Sequence, residues 1–204
     1  MTLAALPDHN RLTDPLWRTL FHGYRHVITP LRHNGWTTDV ETCGGEYHLR
    51  AALSDGTELI IAASQALPAD PAEVDGWSVV RQNVDNPDVH TAVYDSTPGG
   101  PQRHHGTSLI PLLARIDELD APKTATRLIF SATHTHPSGA NANQTAGIEA
   151  PGTAVARFFE WSHRLITVEG YRKVWERPET EGYPLALFER DGHITTYRIT
   201  PWHD

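Results

Sequence analysis

The sequence predicts an α+β fold in which antiparallel strands carry about three flanking helices. Three observations lead to it. Strand-like runs are joined by turns short enough for hairpins, three segments repeat apolar residues at helical spacing, and 39% of the 204 residues are hydrophobic, an ordinary share for a globular chain.

The first helix opens at Asp14-Pro15, a cap followed by a residue suited to a first turn, and Leu16, Leu20, Tyr24 and Val27 recur until Pro30 interrupts. A short turn from Thr29-Pro30 to Gly35 follows. Trp36 to Thr42 reads as a strand, and Tyr47 to Leu53 and Glu58 to Ser64 as a hairpin closed by Ser54-Asp55-Gly56-Thr57. The Pro- and Asp-rich stretch from Leu67 to Asp75 is a loop. Trp77 to Val84 and His90 to Ser96 are two further strands about Asp85-Asn86-Pro87-Asp88. After Pro98-Gly99-Gly100-Pro101, Thr107 caps a second helix whose Leu109, Leu113 and Ile116 mark one apolar face. Asp120-Ala121-Pro122-Lys123 marks a boundary between residues 1–120 and 121–204, packed as one large domain or as two small ones.

Beyond it, Arg127 to Thr133 is a buried strand, and the small polar residues from Pro137 to Gly152 predict a loop of a length that signals function or disorder. Thr153 caps a third helix carrying Val155, Phe158, Phe159 and Leu165, which ends near Gly170. Tyr183 to Glu189 and His193 to Thr200 form a last hairpin on Arg190-Asp191-Gly192.

Residues 1–120 hold 16 acidic and 8 basic side chains, and residues 121–204 hold 9 of each, so the net charge of −8 belongs to the first part. Such a balance opposes a generic grip on nucleic acid, and the arginines, scattered from Arg11 to Arg198, form no cluster. Cys43 is the single cysteine, which excludes an intrachain disulfide and multi-cysteine zinc sites. No run approaches the roughly 20 apolar residues that cross a bilayer, and the first residues lack a signal-peptide pattern. The expectation is a cytoplasmic protein with no membrane partner.

The two parts echo each other. Phe21-x-x-Tyr24-x-His26 recurs as Phe158-x-x-Trp161-x-His163, Gly35-Trp36 as Gly170-Tyr171, Tyr47-x-Leu49 as Tyr183-x-Leu185, and Asp55-Gly56 as Asp191-Gly192. Helix, Gly-aromatic, strand and hairpin thus occur twice in one order, as in an internal duplication of a helix–hairpin unit.

The order of helix, Gly35-Trp36, the hairpin at Leu53-Ser54-Asp55-Gly56, the Trp77 strand, Ala92-Val93-Tyr94-Asp95-Ser96-Thr97-Pro98 and the helix from Leu109 to Leu119 resembles the DUF317 (SPDY) domain family of Streptomyces and related actinobacteria. The resemblance covers about residues 20–120. Where that family tends to show Ser-Pro-Asp, this chain has Ser54-Asp55. It implies at most an accessory, noncatalytic role.

The histidines that could carry chemistry lie in Thr133-His134-Thr135-His136-Pro137. Alternate residues of a strand share a face, so His134 and His136 could hold one zinc ion. The segment resembles the HxHP motif of the JAMM metal-dependent isopeptidases and RadC-like proteins. Thr145 falls where that family has Ser, but Ile148 falls where it has the third ligand, Asp, and Glu149 is one position late. Glu41, Glu46 and Glu58 are equal candidates for the upstream base. The competing reading makes His134 and His136 ordinary residues leaving a strand, with Pro137-Ser138-Gly139 as turn chemistry.

Nucleotide-binding glycine loops and a nucleophile elbow are absent from the sequence. The leading expectation is therefore a noncatalytic binding or assembly module with a protein partner or as a homo-oligomer, and no cofactor. A JAMM-like zinc hydrolase using His134 and His136 stands second, and a regulatory protein meeting nucleic acid through arginines gathered in space stands third.

Overall fold

A computed structural model describes residues 3–119 and 126–202. The expected boundary at Asp120 to Lys123 lies outside the described residues.

Within the first part, β1 (Thr38–Cys43), β2 (Glu46–Ala52), β3 (Thr57–Ala62), β4 (Ser78–Asn83) and β5 (His90–Asp95) form an antiparallel sheet in chain order. Alternation decides which face is buried. Val40, Leu49, Ala51, Leu59, Ile61, Val79 and Tyr94 face inward against α1 (Pro15–Gly23), α2 (Arg25–His33) and α3 (Leu109–Asp117). The Asp14 carboxylate caps α1 by accepting from the Leu16 N–H at 2.8 Å.

The second sheet contains β6 (Leu128–Thr135), β7 (Asn141–Glu149), β8 (Arg172–Glu176), β9 (Leu185–Arg190) and β10 (His193–Pro201), in the order β7-β6-β10-β9-β8. The chain enters at β6, turns to the edge at β7, and crosses through α4 (Pro151–Thr167) to the opposite edge. It then returns through β8 and β9 to pair β10 with β6. Phe130, Ala132, Phe188, Tyr197 and Ile199 line its inner face against Val155, Phe158 and Leu165 of α4. Because α4 also packs on α2 and α3, the helices form the middle of the molecule and the two sheets its outsides.

The α+β class with antiparallel strands is as expected, but among the described residues four helices stand where about three were predicted, and several elements differ. The helix predicted from Asp14 to Pro30 is two helices meeting at Tyr24, and Pro30 lies inside α2. Residues 27–33 of α2 are buried on every side, so tertiary packing overrides the proline. The predicted loop from Pro137 to Gly152 is mainly β7, with a tight turn at Pro137 to Gly139. Six of its nine residues are small or uncharged polar side chains exposed on both faces, so no alternation marked it as a strand. β8 was missed for the same reason, since four of its five residues are exposed.

Ser108 and Ala150, rather than Thr107 and Thr153, occupy the N-cap positions of α3 and α4, and neither makes a side-chain cap bond. The two helices cap each other instead. Glu160 of α4 accepts from the Leu109 and Ile110 N–H groups and from the Ser108 hydroxyl, the last at 2.9 Å. At the other end of the pair, Asp117 of α3 accepts from the Thr153 N–H at 2.9 Å, the Thr153 hydroxyl at 2.6 Å and the Asn34 amide at 2.6 Å.

The echo is one of element order. Moving the β6–β7 hairpin behind β10 would give the second sheet the order of the first. Yet Leu49 is buried inward, whereas Leu185 lies on the same face as Arg198 and Ser131, away from the core, and the residues of Phe21 to His26 span two helices where Phe158 to His163 span one. The residue matches therefore do not carry a duplication.

Candidate functional site

His134 leaves the core on the inner face of β6, opposite Thr195 of β10, and its Nδ1 lies 3.0 Å from the Thr195 hydroxyl. His136 follows past the strand end, with its Nδ1 2.8 Å from the Ser138 hydroxyl and accepting from the Ser138 N–H at 3.1 Å. The third member of this corner is one the sequence did not single out. His193, at the start of β10, stands edge-on to His136 with 4.8 Å between ring centroids. The register that sets Ile194 opposite Thr135 brings these rings together, and it could be found only once β10 was known to pair with β6.

The other residues of the metal-site reading lie elsewhere. Thr145 pairs with Ser131 on the outer face, opposite to the side that carries His134. Ile148 is also on that outer face, opposite Ile129. Glu149 lies opposite Leu128, six residues along β6 from His134 or about 20 Å at strand rise, and is held by Arg157. Glu41, Glu46 and Glu58 belong to the first sheet, where Arg50 bridges Glu41 and Glu58. Among the described residues no three His, Cys, Asp or Glu side chains converge in a way that could hold a metal ion. Purified, untagged protein is accordingly expected to contain well under one zinc per chain, unchanged in a His134→Ala/His136→Ala variant. Elemental analysis of both checks this, and stoichiometric zinc lost in the variant would refute it.

Between α2, α4 and the β8–β9 connection, a cleft is lined by Thr29, His33, Phe159, Glu176, Glu179 and Pro184. Its enclosed space of about 10 Å³ suits one water and no substrate. Its carboxylates are engaged: Glu179 accepts from the Thr29 hydroxyl at 2.8 Å, and Glu176 pairs with Arg25 at 3.1 Å.

Nine of the 15 arginines are likewise engaged. Arg11, Arg25, Arg32, Arg50, Arg81, Arg115, Arg157, Arg164 and Arg172 all stand within ion-pair distance of carboxylates. At these nine sites the charge is neutralised locally and adds nothing to a basic strip.

The sheet outsides differ in kind. On the first, Glu41, Arg50, Glu58 and Gln82 form a bonded network across β1 to β4, with His48 beside Glu41 at 3.5 Å. On the second, the row Trp175, Leu187, Thr196, Thr133 and Asn143 crosses all five strands without a charge. Trp175, Ile148 and Ile194 are 45%, 49% and 40% exposed on this face, and Arg198 and the corner pair Arg172–Glu189 carry its charge. No helix of the chain is long and apolar enough to cross a membrane among the described residues.

No family model matches the chain, and neither curated proteins nor solved structures provide a match.

Proposed function

We propose that the chain is a noncatalytic binding or assembly module that works through the outer face of its second sheet. The observation that carries this reading is the uncharged row from Trp175 to Asn143 with Ile148 and Ile194 exposed beside it. A sheet face of that composition is suited to covering by another protein surface, because its burial desolvates apolar area and strands few charges. The resemblance of residues 20–120 to the DUF317 family supports an accessory role. In this reading the protein works in the cytoplasm with a protein partner or a second copy.

The test uses a Trp175→Ser/Ile194→Ser variant, whose exposed substitutions cost about 0.5 kcal/mol of stability each. A partner is captured on the wild-type protein and its binding is then measured with purified components. The variant is expected to bind it at least about tenfold more weakly. Equal binding by variant and wild type would remove this face as the interface.

A further inference from the structure

Among the described residues two open sheets leave four edge strands, β1 and β5 on the first and β7 and β8 on the second. Unpaired edges invite pairing with another chain, and β1, β8 and the Asp95 end of β5 are blunted. On β1 the Asp39 carboxylate takes the Val40 N–H at 2.7 Å, and Glu41 adds a second charge. On β5 Gln102 occupies both backbone groups of Asp95, its side chain accepting from the N–H and its own N–H donating to the C=O, each at 2.9 Å. β8 has Arg172, Lys173 and Glu176 among five residues and an irregular register between Lys173 and Trp175. β7 is the longest edge at nine residues, and Asn141 to Ile148 contain neither charge nor proline.

We propose that β7 pairs antiparallel with β7 of a second copy, joining the two second sheets into one of ten strands. This rests on the reading of the chain as an assembly module and adds an edge contact that leaves the outer face at Trp175 and Ile194 uncovered. The register against β6 is regular from Asn141 to Thr145 and shifts before Ile148, so the regular run is centred on Asn143. A twofold axis there sets Asn143 opposite Asn143 of the second copy, Ala142 opposite its Gln144, and Asn141 opposite its Thr145. The run is its own complement in charge, since nothing ionised meets anything across the axis. The outer row ending at Asn143 would continue into the same row of the second copy.

The test is light scattering of the full chain from about 1 to 300 µM, a range that captures a micromolar dimer. Wild type is expected to approach twice 22.7 kDa. Asn143→Lys and Asn143→Asp each place like charges opposite each other at the axis. Each variant is expected to weaken the dimer at least tenfold, and an equimolar mixture to restore it. Near-ultraviolet circular dichroism equal to wild type verifies that the exposed substitutions leave the fold intact. A wild type that stays at 22.7 kDa throughout would overturn the proposal, and equal partner binding by wild type and the Trp175→Ser/Ile194→Ser variant would separately remove the outer face as an interface. A dimer indifferent to Asn143→Lys would overturn β7 pairing while leaving assembly through another surface. Monomeric variants that fail to restore the dimer on mixing would overturn the axis at Asn143.

Discussion

Acid is expected to destabilise the protein steeply between pH 6.5 and about 4, because two histidines are folded into places that refuse a proton. His26 lies between Tyr24 and Trp77, with ring centroids 6.0 and 6.2 Å away, and its Nδ1–H donates to the Gly23 C=O at 3.0 Å. Burial pushes it down to about 4, the Gly23 carbonyl opposing and the charges of His163 and Arg25 assisting. His33 is buried against the Tyr183 ring at 5.5 Å and is lowered to about 4 by burial and then by Arg32.

Well above pH 6.5 both histidines are neutral in either state and full stability is present. As pH falls below 6.5 the unfolded chain takes up protons that the folded chain does not, so stability drops by about 1.4 kcal/mol per pH unit for each histidine. By pH 4 that amounts to on the order of 3 kcal/mol each, a large part of the 5–15 kcal/mol typical of a native protein. Glu176, whose burial is outweighed by Lys173 and Arg25, is held below its ordinary range and adds to the loss. Asp117, pushed up by burial, works in the opposite direction. Urea unfolding at a series of pH values measures the slope. His26→Gln and His33→Gln are each expected to remove about one proton of acid uptake between pH 6 and 4.5, and a slope indifferent to both would refute the assignment.

The parts of the fold that could be read from the sequence are those with one wet and one dry face. Leu59 and Ile61 alternate with the half-buried Ile60 and Ala62, Ser54-Asp55-Gly56 closes a hairpin, and Gly56 has the positive φ that such a turn needs. β7 was hidden because strand pairing with β6 holds it while neither face is buried, so its side chains carry no pattern. His134 and His136 were legible as a strand-end pair. Their neighbour His193 comes from a strand 57 residues away in sequence, and no local signal links them. Glu160 and Asp117 were invisible as caps for the same reason, since each serves the helix to which it does not belong.

That exchange of caps leads to the second large effect. Asp117 is 8% exposed, and its two oxygens satisfy the Asn34 amide and both donors of Thr153. Asp117→Ala strands these groups in the interior and is expected to cost about 3 kcal/mol, while Glu160→Ala, at a partly buried helix start, costs about 1 to 2. The two sites lie a helix length apart, so their losses should add to within about 0.5 kcal/mol. Gly152 behaves differently. A Cβ there would stand 2.6 Å from Asp117 Oδ1, 2.8 Å from Asn34 Nδ2 and 3.2 Å from Leu113 Cδ1, so Gly152→Ala must displace the carboxylate from its donors. It is expected to cost about 2 kcal/mol in the wild-type background and clearly less beside Asp117→Ala, where the methyl enters space the carboxylate has left. A double-mutant cycle by chemical denaturation decides it. Strict additivity of Gly152→Ala and Asp117→Ala would mean that Asp117 is not what the glycine makes room for, and that the junction of α2, α3 and α4 is held by packing around Leu113 instead.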